Sequence, residues 1–365
     1  MINREISTIL LEWFQTHKRP LPWRETYNPY HVWISEIMLQ QTQMERGVDY
    51  FTRWVAKYPD IKALAAAKDD DVMKLWEGLG YYSRVTNLLK AARIIAECHN
   101  NLLPCSEQGL LALPGIGPYT AAAIASIAYN HDVCVIDANV ERLISRICDF
   151  DQPIKSTAAK KFMHATCMTL LPKGQARNFN QALMEYGSLV CSPQNPSCQT
   201  CKLLRHCQAA SKGVQLQRPV NVKSKEIIYL SMATGVLIKD GRIFVQKRKS
   251  DDLWADLWEF PGGLLESGET PEQALVREYL EETELNITPQ EYLGAFKHSY
   301  TKYRVTLYAY IVALDHPKQE PILHAAQEYR WNSWAEIQQL AFPAGHRKLI
   351  EKLNTNAKFL QKVLP

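Results

Sequence analysis

The chain has 365 residues, 46% of them hydrophobic and 22% charged, with a formal net charge of +4. That length exceeds one ordinary domain and predicts two, and the balance excludes a chain that is disordered as a whole. The mild positive charge permits a nucleic-acid partner without arguing for one, and no apolar run approaches the ~18–20 residues of a membrane span.

Residues 1–5 carry an acid early and lead into an amphipathic stretch with Trp13 and Phe14. This is not a signal-peptide core, so a cytoplasmic protein is expected. Residues 1–207 read as helices. Runs such as 71–89 and 119–129 place apolar residues at helical spacing, and Gly/Pro punctuation at Pro22, Gly78, Gly80, Pro104 and Pro114 separates them. In Val32-Trp33-Ile34-Ser35-Glu36-Ile37-Met38-Leu39 a glutamate has apolar neighbours on both sides, which implies burial. Burial raises a carboxyl pKa, as a general acid requires, whereas a lone surface glutamate would sit in an ion pair.

Further on, Leu113-Pro114-Gly115-Ile116-Gly117 precedes a helix opening near Pro118. Two glycines let the backbone turn tightly, and a helix N-terminus offers free N–H groups to an anion. A phosphate cradle and a plain helix–turn–helix corner both fit. In Val135-Ile136-Asp137-Ala138-Asn139-Val140 the aspartate reads as a helix N-cap, a position that fixes an ionised carboxylate.

Of nine cysteines, Cys98, Cys105, Cys134, Cys148 and Cys167 are scattered among apolar neighbours and read as buried, reduced thiols. The other four, Cys191, Cys198, Cys201 and Cys207, follow the spacing C-x6-C-x2-C-x5-C. Four thiolates so close in sequence can close on one centre, zinc or iron–sulfur. Lys202, Arg205 and His206 lie inside this loop, and residues 202–225 hold six Lys/Arg and no acid. That run is either a solvated linker or a phosphate contact. Residues 208–225, polar and basic with Gly213 and Pro219, read as an interdomain linker.

Beyond it the period changes. Residues 227–239 and 242–249 alternate as strands around Asp240-Gly241, a hairpin signal. Residues 271–284 read as a helix and 303–313 as a strand, so 226–365 is α+β. Gly263, Glu269, Arg277, Glu278, Glu281 and Glu282 satisfy G-x5-E-x7-R-E-x2-E-E. Glu278, Glu281 and Glu282 share a helix face, where a cation such as Mg²⁺ would relieve their repulsion. The alternative is a solvated acidic helix with Arg277 paired to Glu281.

The hairpin, the aspartate segment and the cysteine spacing together resemble the helix–hairpin–helix DNA glycosylase superfamily over about residues 13–207. The cysteine spacing resembles the [4Fe–4S] loop of the endonuclease III and MutY families. Adding Leu21-Pro22-Trp23-Arg24, the segment around Glu36 and Gly78-Leu79-Gly80-Tyr81-Tyr82, the chain resembles MutY. The resemblance implies an all-α glycosylase domain with an iron–sulfur loop over 1–207, a basic linker over 208–225 and a Nudix-fold domain over 226–365. It implies a monomeric, monofunctional adenine glycosylase of base excision repair, acting on double-stranded DNA with adenine opposite 8-oxoguanine or guanine, and no membrane partner. Glu36 would protonate adenine and help activate water, Asp137 would stabilise the cationic sugar, Tyr119 would hydrogen-bond beside Glu36, and Asn139 would orient Asp137. Trp23, Arg24, Leu39 and Gln181 would form the adenine pocket. Gln40, Gln41 and Tyr82 would fill or wedge the duplex, and Gly115 and Gly117 would meet its backbone. Bifunctional relatives carry a Schiff-base lysine where this chain has Tyr119, so lyase activity is not expected.

The six-position box resembles MutT, which implies Mg²⁺-dependent hydrolysis of oxidised nucleotides as an additional or principal activity. A lesion-binding protein without excision is the other alternative. Tyr279 and Glu284 depart from the box, which has an aliphatic residue and a glycine there. Tyr300-Thr301-Lys302 replaces the Phe-Ser-His triplet of MutY, leaving His298, Tyr300 and Thr301 as candidates to read the lesion. Asp256 puts an acid where the family keeps a small residue near phosphate.

Overall fold

Local sequence explains each helix of the first part of the chain. Asn28 caps the helix Pro29–Leu39 by accepting from Tyr30 N at 2.9 Å, and Pro29 sits where a missing N–H costs nothing. Eight of its eleven residues are buried, so this helix is a core element rather than a surface one. Asp137 caps the helix Ala138–Ile147, and Gly117 precedes Pro118–Ala123. The expected helix over 119–129 starts as Pro118–Ala123 and continues as a wider π turn, Ile124–Ala128. The expected run over 71–89 breaks into Asp69–Trp76 and Ser83–Cys98, because Gly78 and Gly80 take positive φ between them.

The computed structural model describes residues 4–221, 226–252 and 254–364. Two compact units emerge: Met1–Ala66 with Asn87–Ser224, and Ala67–Thr86 with Lys225–Pro365. In the first, the helix Arg4–His17 buries Ile6, Leu10 and Phe14 against Val140, Ile144, Phe179 and Leu183 of the helices Ala138–Ile147 and Ala176–Leu189. The segment expected as a linker is packed as far as it is described. It forms a helical turn Gln208–Ser211 with Ala209 buried, and Val220 pairs with Pro153. Residues 222–225 of that segment lie outside the described residues. Among the described residues no helix is long and apolar enough to cross a membrane.

The second unit is built on seven strands: β1 (Ile228–Lys239), β2 (Arg242–Arg248), β3 (Trp258–Glu259), β4 (Gly262–Leu264), β5 (Ile287–Tyr300), β6 (Tyr303–Leu314) and β7 (Ala326–Asn332). The main order is β3-β2-β1-β6-β5, with β4 on β1 and β7 on β2. Among the described residues of the sheet, β1 and β6 pair in parallel and the other strand pairs are antiparallel. Asp240 and Gly241 both have positive φ, as a two-residue hairpin turn requires. Strand alternation then sorts β1 between two cores. Val236 packs on the side of the helix Ala344–Leu353. Ala233 and Leu237 pack on the side of the helix Pro271–Thr283.

One finding lies outside the expected partition into 1–207 and 226–365: residues 67–86 group with the second unit. Charge pairing explains it. Asp70 accepts from Lys247 Nζ and Trp258 Nε1 at 3.2 Å and from Arg330 Nη1 at 3.1 Å. Glu77 accepts from Phe342 N at 2.9 Å and Arg347 Nε at 2.7 Å.

Glu284 follows the helix Pro271–Thr283 with φ 55, the left-handed conformation that favours glycine. That is the physical reason a glycine is usual there. Glu284→Gly should stabilise the second unit by about 0.5–1 kcal/mol, read as a higher denaturant midpoint for its unfolding transition.

Candidate active site

One pocket in the first unit gathers most of the residues singled out above. Trp23, Arg24, Glu36, Leu39, Gln40, Gln41, Gly115, Gly117, Tyr119, Asp137, Asn139 and Gln181 all line it. They arrive from several elements of the chain. The buried helix Pro29–Leu39 carries Glu36 inward and ends at Leu39, whose side chain rests on Gly47; a Cβ there would come within 2.5 Å of it. Gly115 turns with φ 76, and a Cβ would meet Asn87 at 2.7 Å, so only glycine gives this corner.

Glu36 is 8% exposed. Burial pushes its pKa from 4.5 to about 7, helped by the nearby Asp137 and opposed by Tyr119 and Arg24. Tyr119 donates its hydroxyl to Glu36 Oε2 at 3.0 Å. Burial and the two carboxylates raise Tyr119 well above its ordinary pKa, so it stays a neutral donor.

Asp137 Oδ1 accepts from Val140 N at 2.7 Å and Oδ2 from Asn139 Nδ2 at 2.6 Å. Its position is that of a fixed N-cap. Its pKa, however, is raised rather than lowered, because burial outweighs the donors and the Arg142 charge. Behind Asn139 the bonds continue. Arg142 Nη2 donates to Asn139 Oδ1 at 2.8 Å, and Arg142 Nε donates to the Cys191 carbonyl at 2.7 Å. A hydrogen-bonded path therefore runs from Asp137 to the first cysteine of the four.

Cys191, Cys198, Cys201 and Cys207 line one small pocket at the foot of the helix Ala138–Ile147. Burial and the other three thiols push the Cys207 pKa up. Arg146 Nη1 donates to Cys191 Sγ and Tyr186 Oη lies against Cys201 Sγ, both at 3.3 Å. Among the described residues no three His, Cys, Asp or Glu side chains are drawn together as a site for a single metal ion. The four thiols do line one cavity, a donor set of the kind that holds an iron–sulfur cluster or zinc. Of the scattered thiols, Cys134 and Cys167 are buried as expected, but Cys98 and Cys105 are exposed. Cys98 is the last residue of the helix Ser83–Cys98 and Cys105 lies just before the helix Glu107–Leu111, where apolar neighbours in sequence do not cover them. The basic run also divides. Lys212 and Arg218 are paired with Asp149 at 2.8 and 2.9 Å, whereas Lys202 and Arg205 are exposed.

Residues 34–167 match the family described as HhH-GPD superfamily base excision DNA repair protein, and residues 233–352 match the NUDIX domain. Adenine DNA glycosylase of Rattus norvegicus is 32% identical over 93% of this chain and 76% of its own length. Adenine DNA glycosylase of Buchnera aphidicola subsp. Acyrthosiphon pisum is 28% identical over 96% of this chain and 98% of its own. The chain belongs to the adenine DNA glycosylase family. It is a DNA N-glycosylase with a C-terminal Nudix domain. Among solved structures, a thermostable thymine-DNA glycosylase is similar with a TM-score of 0.51 and 26% identity, over 57% of this chain and 97% of that one.

In this adenine DNA glycosylase family member the remaining candidates belong to the second unit. Tyr82, expected as a wedge, is only 7% exposed, and its hydroxyl accepts from Gly78 N at 3.2 Å. It is a core residue. The neighbouring Tyr81, with φ 49 and half-buried, takes the surface and packs its ring 5.7 Å from Tyr300. The one-residue ambiguity of a Tyr-Tyr pair hid this. Thr301 turns the β5–β6 hairpin with φ 50, and His298 is half-buried near Trp254. Asp256 accepts from Gln327 Nε2 at 2.8 Å, which occupies the acid.

The Nudix box is tied up in its own bonds. Arg277 grips Glu269 with two bonds of 2.8 and 2.9 Å and also holds Glu278 and Glu281 at 3.0 and 3.1 Å. Glu282 accepts from Gln246 Nε2 at 2.9 Å and from Gly262 N at 3.2 Å, and burial raises it to about 8. Each of the three glutamates expected to hold Mg²⁺ is thus engaged in hydrogen bonds of its own.

The sequence reading missed Arg19, Thr120, Met184 and Glu185 of the pocket wall. Thr120 accepts from Gln40 Nε2 at 3.2 Å. Only the turn of the helix that holds Gln181 could have flagged Glu185.

Glu36 titrates near 4.5 unfolded and near 7 folded. Between these values the folded state keeps a proton that the unfolded state has lost, so stability falls as pH rises, and the loss is complete above about 7. Glu36→Gln should be more stable than the parent by about 3 kcal/mol near pH 8 and about equal near pH 4, measured by chemical denaturation at the two pH values.

Proposed function

We propose that this chain excises adenine standing opposite 8-oxoguanine or guanine in duplex DNA, hydrolysing only the N-glycosidic bond. One observation carries the reading: a buried glutamate with a pKa of about 7 accepts a tyrosine hydroxyl in the same pocket as a cap-fixed aspartate. A base can reach such a pocket only by leaving the stack. Trp23, Arg24, Leu39 and Gln181 enclose the flipped adenine, while Gln40 and Gln41 fill the space it leaves. Gly115 and Gly117 let the hairpin backbone approach the phosphate.

Glu36 donates its proton to adenine N7. The C1′–N9 bond breaks with its electron pair going to adenine, and the Asp137 carboxylate faces the cationic sugar. Glu36, now ionised, takes a proton from the water that adds to C1′ and is restored as an acid. Asn139 keeps Asp137 aimed, and Tyr119 holds the Glu36 carboxyl. Neither Tyr119 nor its neighbours supply the amine an imine needs, so the strand is left uncut.

Cys191, Cys198, Cys201 and Cys207 would hold a [4Fe–4S] cluster, which would supply a rigid cross-link among four chain positions. Lys202 and Arg205 are then presented to DNA phosphates. His298, Tyr300 and Thr301 read the opposite base, with Tyr81 beside Tyr300. The enzyme works on chromosomal DNA in the cytoplasm.

The test is a single-turnover assay on duplexes with adenine opposite 8-oxoguanine, guanine or thymine, with and without alkali. Release opposite the first two, with strand cuts only after alkali, is expected; no release from any duplex sinks the reading. Asp137→Asn should lower the rate by on the order of 10³-fold. The wild-type rate should fall as pH rises through about 7, where Glu36 loses its proton. Purified protein should absorb near ~400 nm through its cluster, and Cys198→Ser should lose that band.

A further inference from the structure

The pocket wall carries a charge that the mechanism above leaves idle. Glu185 is 1% exposed on the helix Ala176–Leu189. Its carboxylate meets Arg24 Nη2 at 2.5 Å and accepts from both Arg19 Nε and Arg19 N at 2.8 Å. Arg24 has two other anchors, Gln181 Oε1 at 2.7 Å and the Arg19 carbonyl at 3.0 Å. Those anchors hold the guanidinium in place, but both are neutral. Of these three partners, Glu185 alone carries an opposite charge.

We propose that Glu185 is a positioning residue for the proton of this reaction: by neutralising Arg24 and Arg19 it keeps positive potential off Glu36, so that the acid stays protonated at neutral pH. The inference rests on the adenine-excision reading. Its physics is electrostatic. A guanidinium–carboxylate pair acts at a distance as a dipole, whereas a bare guanidinium acts as a full charge, and full charges reach farther in a low-dielectric pocket. The groups facing Glu36 are few. Tyr119 comes from the helix after the hairpin, Asp137 from the N-cap, and Arg24 from the turn before the buried helix, with Arg19 and Glu185 behind it. Among them Arg24 favours the carboxylate and Asp137 disfavours it. Removing Glu185 strengthens the first influence without touching the second.

Glu185→Gln keeps the size and a hydrogen-bonding oxygen while removing the charge. Two readouts are taken: the alkaline limb of the single-turnover rate, and the titration of Glu36 followed by NMR of carboxyl-labelled glutamate in DNA-free enzyme. Both should move down by about one pH unit, a roughly tenfold rate loss near pH 8, with little change near pH 5.5. Glu185→Asp should restore the wild-type limb. Loss of rate by the same factor at every pH, or an unmoved Glu36 titration, makes Glu185 a structural brace and overturns the inference. If the wild type itself releases no adenine, the excision reading has failed, and the NMR titration still decides this one. If Glu185→Gln does not fold, Arg19→Gln serves instead. It removes a positive charge and should raise the Glu36 titration; no rise overturns the inference.

Discussion

Taking the Glu36 carboxyl out of water costs free energy in only one of its two protonation states, and that asymmetry governs the first unit. The neutral form sits comfortably among Trp33, Ile34, Ile37 and Met38, all buried on the same helix. The ionised form does not. A pocket that protonates a leaving group needs a proton held ready at the pH of the cell, and burial is the means of holding it. The rest of the wall adjusts that balance: a phenol that can only donate, a second carboxylate that opposes ionisation, and a guanidinium whose charge is offset from behind. The helix is thus chosen less for its own stability than for what its centre must carry.

Burial raises the second carboxylate as well, but more donors oppose it there. Asp137 is buried too, but it receives a backbone N–H and an amide N–H, and Arg142 stands behind Asn139. On the proposed reading the two acids in one pocket take different duties, one to give a proton and one to face a cation. The Arg142 bond to the Cys191 carbonyl extends this order to the cysteine loop. Distortion of that loop would reach the aspartate through two side chains, Arg142 and Asn139.

Much of this was legible in the residues. Apolar neighbours announced the burial of Glu36, and the N-cap preference of aspartate placed Asp137 at a helix start. The Asp240-Gly241 hairpin and the helix before Glu284 fell where turn chemistry and periodicity put them. What was hidden depended on long-range pairing. Arg19 and Glu185 lie 166 residues apart, so neither marks the other. Tyr81 and Tyr82 differ in sequence by one position but in fate by burial, and no period separates two adjacent tyrosines. Cys98 and Cys105 have the composition of buried thiols and the position of helix ends. The attachment of residues 67–86 to the second unit rests on Asp70 and Glu77, ordinary acids until Lys247, Arg330 and Arg347 are known to meet them.

That attachment bears on heredity. Fusion proteins are usually pictured as beads that evolution restrings by cutting at linkers. Here a stretch encoded well before the linker has its acids neutralised by bases encoded well after it. A gene truncated at the linker would yield a chain with two acids stripped of their counter-charges and tryptophan partners. A shuffled C-terminal cassette would arrive with orphaned arginines. A cut at the linker therefore does not separate the two compact units, because one of them is assembled from sequence on both sides of it.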